Sequence, residues 1–250
     1  MYVSDELTVG DLCKAVAEIG YPAVEIWGRG PDFDDVVAAA KDNGLVLASM
    51  VGADMHPGGL NQRSQHKRML AELRESIDIA VEHGIPNLIV LAGNRVEGLS
   101  DEDAIDITAE GIALAAPYAE EKGINLNIEL LNSKVDHPGY QADHTAWGVA
   151  VCEKVASPRV KLLYDIYHMQ IMEGDIIRTI RENIRWIGHF HTAGNPGRAD
   201  MDDTQELNYA GICKGIADTG YDLYVGHEFK PKGDLIAALW QTFALCDQET

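Results

Sequence analysis

Apolar residues along this chain follow two alternating periods. In TVGDLCKAVAEIG (8–20), Leu12, Val16 and Ile19 recur at i, i+4 and i+7, and Gly20 closes the segment, which predicts an amphipathic helix. AVEIW (23–27) then reads as a strand. DFDDVVAAAKDNG (32–44) is helical and again ends on glycine, and LVLASMVG (45–52) is a strand. Over 62–83, Met69, Leu73, Ile77 and Val81 mark one face of a long helix, and NLIVLAG (87–93) follows as a strand. Ser100 and Asp103 form a capping-box-like start, with Asp in place of Glu, for a helix running towards Lys122. The later strands are NLNIEL, VKLLYD, WIGHFH and LYVGHE. Helical stretches near 144–155, 174–184 and 207–219 separate them, and a last helix covers about 234–245.

Strands with helices between them, and no linker or change of composition, predict repeated βαβ units in one domain spanning 1–250. Seven strands are legible. The expected fold is α/β, a (β/α)8 TIM barrel whose first strand is short or missing, because only MYV precedes the first helix. A doubly wound open sheet is the alternative, weakened by the absence of GxGxxG after an early strand.

The C-terminal strand ends carry the chemistry in such a barrel. NLNIEL brings Glu129, VKLLYD ends on Asp165, WIGHFH ends on His191 and LYVGHE ends on Glu228. Period-two alternation lets Asn127 share a face with Glu129, His189 with His191, and Gly226 with Glu228, so all four ligand-type residues can point inward. Singly, each has an ordinary reading: Asp165 as a cap, His191 as a core histidine, the glutamates as solvated strand ends. Together they predict one divalent metal ion. Three carboxylates and one imidazole suit Mn²⁺, Mg²⁺ or Co²⁺ better than zinc.

"YDIYHMQ", "HFHTAGNPGR", "QELNY" and "GHEFKP", with "IELLN" and "VEIWG", resemble the hydroxypyruvate isomerase-like proteins. These are xylose-isomerase-like TIM barrels related to the ketose 3-epimerases. The resemblance implies that Glu129, Asp165, His191 and Glu228 bind the metal and that Glu129 and Glu228 are the acid/base pair. It also implies that His168 and Arg198 hold substrate oxygens and that Glu206 sits near the substrate. Read as residues alone, His168 could equally pack the following helix, Arg198 could be a surface arginine, and Glu206 a carboxylate at a helix N-terminus. Trp27, Trp147 and Trp186 either wall the pocket or pack the core, the last two better suited to the core.

Twenty Lys and Arg against 40 Asp and Glu give a formal charge of −20. That balance argues against nucleic-acid or anionic-membrane partners, whose binding rests on basic contacts. The resemblance implies a small-molecule sugar or sugar acid as the partner, and a homo-oligomer is compatible with it. Cys13, Cys152, Cys213 and Cys246 are scattered and the N-terminus lacks a signal-peptide layout, which predicts a cytoplasmic protein with reduced thiols. The favoured function is a metal-dependent sugar or keto-acid isomerase or epimerase. The competing readings are an apurinic-site endonuclease and a non-catalytic sugar-binding barrel.

Overall fold

The structure is a computed structural model and describes residues 7–247. The Thr8 hydroxyl caps helix α1 (Val9–Ile19) by accepting from the Asp11 N–H, and Gly20 leaves the helix at φ 116°, a left-handed exit that favours glycine. Strand β1 (Ala23–Val24) pairs in parallel with β2 (Val46–Leu47), and helix α2 (Phe33–Asp42) connects them. Strand β3 (Ser49–Ala53) opens a six-stranded parallel sheet, continued by β4 (Asn87–Val90), β5 (Asn125–Glu129), β6 (Val160–Asp165), β7 (Ile187–Thr192) and β8 (Val225–His227) in chain order. The two sheets are continuous at the backbone, since Ile26 N–H donates to Ser49 O and Val51 N–H to Trp27 O. The seven expected strands therefore stand side by side. Among the described residues no ladder joins β8 to β1, which leaves a seam between these two strands. MYV, the expected stub of a first strand, lies outside the described residues.

Helices α3 (His66–His83), α4 (Asp101–Ala113), α5 (Ala116–Lys122), α6 (Thr145–Val155), α7 (Ile166–Met172), α8 (Ile176–Asn183), α9 (Tyr209–Ala217) and α10 (Leu235–Cys246) complete the series. Three details differ from the sequence expectation. On α3, Met69, Leu73 and Ile77 are buried, but Val81 is exposed and Ala80 takes its place in the core. Each four-residue step overshoots a 3.6-residue turn by about 40°, so twelve residues on the stripe has drifted round the helix. The helix starting at the Ser100 cap, where the hydroxyl accepts from Asp103 N–H, stops at Ala113 and restarts at Ala116. Pro117 explains the break, since proline cannot donate to the preceding turn but fits a helix's first positions. The short α7 directly after β6 has too few residues to show a period.

The core runs between sheet and helices, and the Trp assignments separate cleanly. Trp147 is buried, Trp186 is packed against the core, and Trp27 is exposed at the cavity wall. No helix among the described residues is long and apolar enough to cross a membrane. The four cysteines are free thiols.

One loop at the C-terminal rim depends on glycine. A Cβ on Gly59 would lie 2.2 Å from the Ala92 carbonyl oxygen and 2.5 Å from its carbon, where β4's chain passes. Backbone cannot yield as a side-chain tip does. Gly59→Ala should therefore destabilise the protein by at least about 1–3 kcal/mol, the range for overpacking a tight interior. A urea midpoint equal to that of the wild type would contradict this.

Candidate active site and metal centre

Parallel register aligns the ends of β5 to β8. Asp165 sits opposite His191, and His191 opposite Gly226, so Glu228 follows one step beyond β8. Glu129, Asp165, His191 and Glu228 thereby converge, each offering a ligand atom within 4.8 Å of the others. His191 Nδ1 lies 3.0 Å from Glu228 Oε2, 3.6 Å from Glu129 Oε1 and 4.0 Å from Asp165 Oδ2.

The donor set fits a divalent cation on two grounds. Both ring nitrogens of His191 are buried without an aligned hydrogen bond. In addition, three carboxylates crowd together at a depth where like charges need a counter-cation. Burial and the neighbouring Glu228 push the Asp165 carboxyl up to about 6, although His191 and Arg198 pull the other way. Burial also acts to raise Glu228, but His191 and Arg198 outweigh it and hold this carboxyl below the ordinary range. Burial disfavours the His191 imidazolium, yet the surrounding carboxylates outweigh burial and hold its pKa well above the ordinary value.

Asp165 does two jobs. Its Oδ1 accepts from the His168 N–H and caps α7, while Oδ2 faces the cluster. The cap and ligand readings of the sequence are thus compatible in one side chain. At 1% exposure Asp165 does not reach the cavity, whereas Glu129, His191 and Glu228 line it. That cavity of about 1000 Å³ spreads from the cluster past Trp27, His56, His137 and Arg198, and down the β8/β1 seam beside Leu12 and Leu239.

The three residues expected at the substrate sit differently from one another. Arg198 lines the cavity in a tight loop at φ 54°, with its Nη2 2.6 Å from Glu228 Oε2 and its guanidinium 5.9 Å from the Tyr167 ring centroid. His168 is fully buried behind the cluster. Asn132 Oδ1 accepts from the Val135 and Asp136 N–H groups, so its amide donates to Asp136 and to His168 Nδ1. The His168 proton therefore resides on Nε2, which has no partner and lies 3.7 Å from Asp165 Oδ2. Burial, assisted by Arg198, lowers the His168 pKa to about 3 and keeps it a neutral donor. Glu206 is exposed and tied to Asn195 and Gln170, apart from the residues lining the cavity. It precedes the Asn208 cap of α9 and so lies outside that helix's first turn.

Glu25 is a candidate site residue that the strand pattern alone did not single out. It follows β1, lines the cavity, and accepts from the Ser49 hydroxyl at 2.7 Å and from His189 Nε2. Its Oε2 lies 3.3 Å from His191 Nε2. Burial acts to raise its pKa, but the two histidines outweigh that and hold the carboxyl well below the usual range. The visible signal was a charged residue inside the otherwise apolar AVEIW.

Comparisons with known proteins agree with this architecture. A human protein of the hydroxypyruvate isomerase type is 30% identical over 239 residues, 90% of this chain and 85% of its own. The 2-oxo-tetronate isomerase of Cupriavidus necator is 36% identical over 174 residues, 68% of this chain and 66% of its own. A crystal structure titled AP endonuclease, family 2, from Brucella melitensis superposes with a TM-score of 0.82 at 27% identity, covering 96% of this chain and 94% of that one. Solved ketose 3-epimerases share the fold at lower identity. Residues 13–242 match the xylose isomerase-like TIM barrel family, and the chain, with its parallel strands and the carboxylates and histidine at their ends, belongs to that family.

Proposed function

We propose that this protein is a divalent-metal-dependent isomerase of short sugars or keto acids, of the hydroxypyruvate isomerase type, acting by proton transfer between Glu129 and Glu228. One observation carries the reading. Of the three clustered carboxylates, two reach the cavity and the third, Asp165, is sealed behind them. That is the division expected of two proton-transfer groups and one pure ligand. Glu129, Asp165, His191 Nδ1 and Glu228 are the residues that would hold the ion. The chemistry supplied by a bound divalent ion is polarisation of a substrate carbonyl, which acidifies the adjacent C–H. One glutamate, ionised, removes that proton and leaves an enediolate; the other, protonated, delivers a proton to the neighbouring carbon while the hydroxyl proton passes from one substrate oxygen to the other, so that the two glutamates exchange protonation states. His168, as sealed from the cavity as Asp165, would act from behind the cluster, its unpartnered Nε2–H steadying Asp165 Oδ2 at 3.7 Å. Arg198, on the cavity wall, holds the substrate's far end and pairs with a carboxylate when the substrate has one.

The test is a panel of short keto acids and ketoses followed by proton NMR. Interconversion of hydroxypyruvate or a tetronate-like acid supports the reading, and exchange at C3 of a neutral ketose alone would favour a 3-epimerase. An endonuclease has one supporting feature, a second group of candidate ligands in Glu25, His189 and His191. The charge of −20 opposes DNA binding, and nicking of abasic DNA would decide for that reading.

Arg198 separates acids from neutral sugars. Lysine keeps the charge and loses the planar fork, so Arg198→Lys should lower kcat/KM on keto acids by about tenfold or more and on neutral ketoses much less. Equal losses on both classes would mean that Arg198 acts only through its contact with Glu228.

A further inference from the structure

His191 is approached from two sides. Nδ1 faces Glu129, Asp165 and Glu228, while Nε2 faces Glu25 Oε2 at 3.3 Å. Glu25 comes from the far bank of the seam and reaches His191 across β8. It can do so because the inward position on β8 beside His191 is Gly226. A Cβ there would stand 2.0 Å from Glu25 Oε2 and 3.1 Å from His191 Cδ2. Ser49 and His189 both donate to Glu25 Oε1, which fixes the carboxylate and leaves Oε2 for His191.

We infer that Glu25 is a positioning residue that holds His191 with its N–H on Nε2, presenting Nδ1 as the metal ligand, and that Gly226 is the opening through which it acts. The inference rests on the metal reading of the four-residue cluster. A carboxylate behind a ligating imidazole fixes the tautomer, orients the ring and makes the ligand nitrogen a better donor. Glu25 also bridges strands that no backbone ladder joins among the described residues, so it couples the seam to the metal centre. A second ion between Glu25, His189 and His191 is disfavoured by the same contacts. It would need His191 to bridge two cations without either ring proton.

The experiment is Co²⁺ binding by competition with a chelator, on full-length protein whose fold is checked by circular dichroism. The wild type should bind about one Co²⁺ per chain, and Glu25→Ala should weaken it by about 10–100-fold, the usual effect of losing a ligand's outer partner. Glu25→Gln keeps the shape and serves in the same direction if the alanine variant does not fold. Gly226→Ala should weaken Co²⁺ binding in the wild-type background and much less in the Glu25→Ala background, because the displaced group is already gone. A merely structural glycine would cost the same in both. Additive losses overturn the inference, as does Co²⁺ affinity in Glu25→Ala within about twofold of the wild type. So do two Co²⁺ per wild-type chain with one lost in Glu25→Ala. A wild-type chain that takes up no Co²⁺ overturns the metal reading and this inference together.

Discussion

Glu129→Gln and Glu228→Gln should each lower turnover by at least about a hundredfold, the lower end of what a positioned acid or base contributes. Both side chains reach the cavity beside His191, and both substitutions keep size and some hydrogen bonding while removing the base. The proton can be followed directly. In heavy water, product and eventually recovered substrate should gain deuterium at the carbon next to the carbonyl. One of the two variants should wash deuterium in without forming product, which would identify the glutamate that abstracts. A hydride shift would carry the substrate's own hydrogen across instead. Complete retention of a substrate label, with near-normal rates in both variants, would remove the proton-transfer role. Glu228→Gln has a second consequence, since it weakens the partner of Arg198, so its KM on acids should change more than that of Glu129→Gln.

Loss of metal is the other large effect. Purified protein should hold about one divalent ion per chain, and His191→Ala or Asp165→Ala should empty the centre, because each removes a buried ligand that no neighbour can replace. Asp165→Ala also deletes the cap of α7, which should cost about 0.5–2 kcal/mol of stability. Asp165→Asn separates the two roles, since its amide oxygen can still accept from the His168 N–H while the ligand charge is gone. It should stay folded and lose most of its ion. Elemental analysis checks this, and full occupancy in the His191→Ala and Asp165→Ala variants would show that the cluster is not the metal centre. Acidity should matter in a defined direction. A carboxyl pushed up to about 6 is protonated below that pH, and a ligand must shed its proton, so ion affinity should fall as pH drops through about 6.

Most of this arrangement was legible in the chain because period-two strands deliver their ends to one rim. Glu129, Asp165, His191 and Glu228 stand at equivalent places in successive units, and the fold brings them together. What stayed hidden depended on contacts that no local pattern encodes. Glu25 gains its meaning from His189 and His191, more than 160 residues away across the β8/β1 seam. The burial of His168 and its fixed tautomer depend on the turn that aims Asn132, while its helix, α7, is only seven residues long. Glu206 looked close to the substrate by resemblance, but Asn195 and Gln170 hold it on the outside. The drift of the α3 stripe away from Val81 was calculable from helix geometry and is a lesson about long four-residue series.

The proposed ligands all come from β5 to β8 and the step beyond, between residues 129 and 228, within one hydrogen-bonded sheet. Much of the cavity's far wall, including Trp27, Asp54 and His56, comes from the stretch before β4. The proposed ligands and much of the pocket's far wall therefore occupy separate lengths of polypeptide, with Arg198 as a wall residue from the second half and Glu25 as an early residue reaching into it. New specificities can be sought by grafting or diversifying residues 27–60 while leaving the second half untouched. Such a library should retain a working proton relay in most of its members, provided that the carboxylate at position 25 and the glycine at 226 travel together.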